Sequence, residues 1–164
     1  MKRSAAAFTI LSLLGLAGTP PAAARGVAVS VDRDEWNPAH VEMLPAEIRA
    51  GVERFARVCG MPITARRLFS RSIQDQLTGD RLIALHFDEA HCANAPTICT
   101  TAGCLHQVYV SKGGPYRLIL SVHAPEIQLT LIDRSAAVEI NCDETTEPCT
   151  RYFRWDGSRL SRLK

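Results

Sequence analysis

Six cysteines, at positions 59, 92, 99, 104, 142 and 149, constrain this chain more than any other feature. An even set in an exported chain reads as a disulfide framework, because thiols are oxidised outside the cytoplasm. The export signal lies at the N-terminus. Lys2 and Arg3 supply a positive start, Ala5 to Gly18 a short apolar stretch, and Thr19-Pro20-Pro21 a break. Ala22-Ala23-Ala24 then offers the small residues that a signal peptidase reads. Residues 1–24 are therefore expected to be a signal peptide cut after Ala24, and residues 25–164 a single domain in the periplasm. The apolar stretch is too short for a membrane anchor. The first cysteine, Cys59, lies too far on for a lipid anchor. The mature protein is expected not to be membrane-embedded.

Six cysteines admit many pairings. Cys99 and Cys104 flank the flexible Thr-Thr-Ala-Gly, and Cys142 and Cys149 close an acidic loop between adjacent strands. By elimination Cys59 joins Cys92. Loop-closure entropy makes the 59–92 bridge worth about 3.8 kcal/mol, against about 2.2 for 99–104 and about 2.5 for 142–149. The competing use of these residues is a metal site, since His86, His91, Cys92, Cys99, Cys104 and His106 fall close together. The spacing argues against it: there is no Cys-x-x-Cys, and oxidised thiols do not ligate. No metal and no cofactor is assigned.

The charge balance excludes one class of partner. Lys2 and Arg3 belong to the leader, so 19 basic residues fall to 17 in the mature chain, against 17 acidic. A neutral chain lacks the basic excess that holds nucleic acid. A local excess remains: Arg49, Arg54, Arg57, Arg66, Arg67 and Arg71 stand against Glu53 alone. Such a run reads either as a solvated face or as a docking patch for an acidic protein or an anionic envelope component.

Periodicity points to an α+β fold. Trp36-Asn37-Pro38 reads as a turn, with Trp36 plugging the edge of the core, and Val27–Val31 as a short strand. Ile48, Val52, Phe55 and Cys59 form one stripe of a helix from Pro45 to Val58, which Gly60 stops. Ile63 to Ile73 fits either a helix or a strand, and Asp75 to Asp80 a turn around Gly79. From Arg81 the period is near two, giving strands at 81–87, 105–111, 116–124, 127–132, 138–142, 150–155 and a short last one at 159–163. The expectation is one N-terminal amphipathic helix on an antiparallel meander of about six strands.

Catalytic grammar is absent: no G-x-S-x-G, no H-E-x-x-H and no phosphate-cradling glycine loop occurs. His86 and Asp88 share one strand face, which reads as a solvent-facing polar edge. If a neighbouring strand brings His106 alongside, the three form a small polar cluster and an atypical enzyme site. The 75–80 turn lacks the alternating acids of a calcium loop. In the run Tyr152-Phe153-Arg154-Trp155, Phe153 and Trp155 are expected in the core, and Tyr152 with Arg154, joined by Tyr109 or Tyr116, on an exposed recognition surface.

The segment Cys99-Thr100-Thr101-Ala102-Gly103-Cys104, the turn Gly113-Gly114-Pro115-Tyr116-Arg117 and the closing Arg154-Trp155-Asp156-Gly157 resemble small exported proteins of proteobacteria. The resemblance covers residues 92–160 and implies export and a disulfide-bonded fold. It carries neither a function nor a catalytic residue. Many of those relatives have a fuller Asp/Asn/Gly loop near residues 75–80, and this chain departs from it there.

These readings converge on a non-catalytic exported interaction module, an inhibitor or accessory subunit among its forms. Its partner would be a protein or an envelope polymer, met by Arg66, Arg67, Arg71, Tyr152 and Arg154. The alternatives are an enzyme with a site around His86, Asp88 and His106, and a periplasmic metal-binding protein.

Overall fold

A computed structural model describes residues 35–92, 98–142 and 150–163. The leader, the strand expected at Val27–Val31 and Cys149 lie outside these residues. Two α-helices open the described chain, α1 at Ala39–Glu42 and α2 at Ala46–Cys59. The Asn37 side chain accepts a hydrogen bond from the Ala39 N–H at 2.9 Å, so the anticipated Asn-Pro turn starts a single helical turn. Pro45 precedes α2, and Gly60 ends it with φ of 72°, a conformation costly for any other residue. Of the predicted stripe, Ile48, Val52 and Cys59 are buried and Phe55 is half-buried against the same core.

The rest is antiparallel β-structure. The ambiguous stretch from Ile63 resolves into β1 (Thr64–Ala65), a 3-10 turn at Arg67–Phe69 and β2 (Ser70–Gln74). Then follow β3 (Arg81–His86), a 3-10 turn at Phe87–Glu89, β4 (Ala90–His91), β5 (Cys99–Thr100), β6 (Gly103–Ser111) and β7 (Arg117–Ala124). The chain closes with β8 (Glu126–Ile132), β9 (Ser135–Asn141), β10 (Arg151–Trp155) and β11 (Leu160–Arg162). Strands β2, β3, β6, β5 and β7 make one sheet, β11-β10-β9-β8 a second, and β1 with β4 a third of two strands.

This overturns the expected α+β meander under one helix: the described residues are mostly β, with three sheets and two α-helices among them. The reason lies at Pro125. β7 pairs only with β6, and β8 only with β9, so the chain leaves one sheet and enters the other at a residue with no N–H to give a ladder. The meander therefore splits into two stacked layers.

The five-stranded sheet is consequently covered twice. Ile83, Leu85, Leu105 and Tyr109 pack with the α2 stripe on one face. Leu82, Ala84, Val108 and Val110 pack with Ile127, Ala136, Val138 and Trp155 of the second sheet on the other. Burial on both faces explains why β3 is buried from Leu82 to His86 rather than alternating. Two disulfides form as expected: Cys59–Cys92 ties the end of α2 to the residue after β4, and Cys99–Cys104 closes the β5–β6 hairpin. Cys142 is also disulfide-bonded, and its expected partner Cys149 lies outside the described residues.

Candidate functional site

The second cover moves two histidines indoors. His86 and His106 are register partners on β3 and β6, and their side chains join the face that meets the second sheet. They are 7% and 0% exposed. The wet polar edge expected at His86 is thus a buried one, because a second sheet lies where solvent was anticipated. The rings stand edge to face with centroids 5.2 Å apart. Asp88 follows on the 3-10 turn after β3 and stays exposed, and one donor atom from each of the three lies within 4.8 Å of the others.

The hydrogen bonding of the pair is incomplete. His106 Nε2 lies 3.2 Å from the Ala124 carbonyl, an acceptor, so this nitrogen carries the proton. Its Nδ1 is left with a bare lone pair. That atom and His86 Nε2 are buried without a hydrogen-bond partner among the described residues. Each such omission costs about 1–3 kcal/mol. Burial, and next the adjacent His106, push His86 down to about 4 from 6.5, against the pull of Asp88. Burial also lowers His106, opposed by Asp88, the Ala124 carbonyl and Glu126. Both imidazoles are neutral at neutral pH. Neither unpartnered nitrogen meets a hydroxyl or thiol among the described residues.

The cysteines expected near these histidines are committed to disulfides, and His91 lies elsewhere, 5.5 Å between ring centroids from Trp36. The aspartates of the 75–80 turn are likewise occupied. Asp75 accepts from the N–H groups of Leu77, Thr78 and Ala136, and Asp80 from the Trp155 indole.

The proposed partner-binding residues separate into two groups. Arg66 lies over the Trp36 ring, 4.4 Å from its centroid, and within 3.7 Å of Glu89. Trp36 is 39% exposed instead of plugging the core, because Asn37 bridges to Ala65 and holds the indole beside the β1–β4 pair. Arg67 and Leu68 follow in sequence and are exposed, and Arg71, on β2, is exposed beside Arg81 and Tyr116. Tyr152 and Arg154 sit on β10 of the other sheet, facing away from Phe153 and Trp155, and Arg154 lies 3.8 Å from Asp133. Neither expected companion joins them: Tyr109 is buried under α2, and Tyr116 lines a small recess beside Arg71 and Arg81.

Sequence reading missed that Trp36 and Leu68 are exposed. The Trp36–Arg66 contact joins residues far apart in sequence, and no local period reveals it. A cleft of about 810 Å³ opens beside β7, β9 and β10, and neither histidine of the pair nor Asp88 lines it. No family model, no curated protein and no solved structure matches this chain.

Proposed function

We propose that the protein is an exported, disulfide-stapled binding module that docks an acidic protein partner on the surface of Trp36, Arg66, Arg67 and Leu68. The observation that carries this is the Trp36–Arg66 stack. A cation held over an exposed indole is already ordered, so little side-chain entropy is lost on binding. Trp and Arg are the residues that dominate binding energy at interfaces. Leu68, 46% exposed, supplies an apolar anchor two residues on. This mixture of apolar and cationic groups favours a folded acidic surface over a polysaccharide, which offers no pocket for Leu68. The disulfides support an oxidising compartment, and the leader-like N-terminus supports export to it.

The test is site-specific photo-crosslinking in the producing cell, with the photoreactive residue at Leu68 and, separately, at Leu131 of the second sheet. The expected result is a discrete protein adduct from position 68 only, lost when Arg66 and Arg67 are both changed to Glu. No adduct from position 68, an adduct unchanged by the charge reversal, or the same adduct from position 131 would each overturn the reading. A diffuse, polysaccharide-sensitive adduct would do so too, by placing a polymer on this surface.

A further inference from the structure

A pair of buried imidazoles with unpartnered nitrogens, next to one carboxylate, is an arrangement that folding alone does not favour. In a packed interior nearly every polar nitrogen finds a partner. Here two fail to do so within one cluster, at His86 Nε2 and His106 Nδ1. We propose that His86, His106 and Asp88 together bind one divalent late first-row metal ion, Zn²⁺ or Cu²⁺, through two imidazole nitrogens and one carboxylate oxygen.

Three features fit this assignment. The hydrogen bond of His106 Nε2 to the Ala124 carbonyl fixes the tautomer and leaves Nδ1 as the bare nitrogen of a ring that stands edge to face with His86. That outer bond from a ligating histidine to a carbonyl is the usual support of a metal-bound imidazole. The two histidines are the last register pair of the β3–β6 ladder, so the paired strands hold their backbones in place. Asp88, by contrast, is exposed on a 3-10 turn. Donors on a tetrahedral ion stand roughly 3.4 Å apart, given bond lengths of about 2.0–2.2 Å. The donor atoms, all within 4.8 Å of one another, draw together to hold the ion, and Asp88 is the exposed member of the three.

The donor set selects the ion. Two nitrogens and one oxygen suit Zn²⁺ and Cu²⁺, whereas Ca²⁺ and Mg²⁺ take oxygen alone. Around the site, the acids Asp88 and Glu126 favour a cation, and Arg71 and His123 oppose it. With three protein ligands a fourth position stays open to water on the Asp88 side.

The experiment is calorimetric titration of Zn²⁺ into the chelator-treated protein with its disulfides intact, followed by the nitrogen spectrum of its histidine rings. One ion per chain is expected. Asp88→Asn should weaken binding about tenfold, and His86→Gln or His106→Gln about a hundredfold. His91→Gln and His123→Gln should leave it within about twofold, since neither belongs to the cluster. Should the buried-histidine variants fail to fold, the native protein still decides the matter. Zn²⁺ must then shift His86 Nε2 and His106 Nδ1 while His106 Nε2 keeps its proton. Absence of uptake, or uptake that leaves those two nitrogens unshifted, would overturn the assignment.

Discussion

The indole N–H of Trp155 donates to the carboxylate of Asp80 across 2.7 Å, with both residues buried. Trp155 belongs to the second sheet and Asp80 to the turn before β3, so this bond ties two layers that side-chain packing alone would only stack. Asp75 makes a second tie beside it. It accepts from the Ala136 N–H at 2.7 Å, and the Ser135 hydroxyl shares its one proton between Asp75 and the Trp155 carbonyl. A turn that resembles a poor calcium loop in sequence is therefore an inter-sheet clamp.

Replacing Asp75 with Ala should cost about 3 kcal/mol. The change leaves the buried Ala136 N–H and the half-buried Thr78 N–H without this acceptor, and hydrogen bonds to a charged group carry about 1.5–3 kcal/mol. Urea unfolding of the disulfide-intact variant measures the loss. A cost under about 1 kcal/mol would mean the sheets hold together by apolar burial alone.

The same carboxylate sets an acid limit. Burial alone would raise its pKa, but the bonds from Thr78, Ala136, Ser135 and Leu77 outweigh that and hold it below its ordinary 3.8. The folded state therefore binds this proton less readily than the unfolded chain. The stabilisation is complete above the unfolded value, near pH 4, and is lost as pH falls through the lower folded value. Asp75→Asn should be less stable at pH 7 and show a flatter decline between about pH 4 and pH 2. Parallel slopes in that window would refute the assignment.

The two described disulfides should differ in value. Cys59–Cys92 closes a long loop and joins the end of α2 to the strand after Phe87–Glu89, whereas Cys99–Cys104 closes a short hairpin. Paired Cys→Ser replacement should cost about 3.8 kcal/mol for the first and about 2.2 for the second. Thermal melts of the two double variants give the ranking, and a reversed order would show that strain or residual structure outweighs loop entropy.

How much of this was legible in the sequence follows from what each feature depends on. The helix stripe, the Gly60 stop and the Cys99–Cys104 pairing depend on local spacing, which is written in the chain, whereas Cys59–Cys92 followed only by elimination. The division of the meander into two sheets depends on Pro125 acting as a crossing point, which one proline cannot announce. His86 was misread for that reason. A strand alternating Leu, Ala and His looks half-wet until a second sheet covers it. The Trp36–Arg66 stack was equally hidden, since it joins residues far apart in sequence through the bridge of Asn37 to Ala65.

Gly51 offers a test of how closely α2 lies on the sheet. A Cβ built there would come within 2.8 Å of the Tyr109 hydroxyl, and that hydroxyl donates to Gln107 Oε1 at 2.8 Å. In an exposed helix Gly→Ala gains about 1 kcal/mol from propensity. Here the added methyl must displace a buried hydroxyl and break its bond, which costs about 1–3 kcal/mol. Gly51→Ala should therefore destabilise the protein by about 1 kcal/mol net. In a Tyr109→Phe background the hydroxyl is gone, and the same change should turn neutral or stabilising by up to about 1 kcal/mol. The four-variant cycle is read by chemical denaturation. If Gly51→Ala stabilises both backgrounds equally, the helix sits further from β6 than the Tyr109 contact requires.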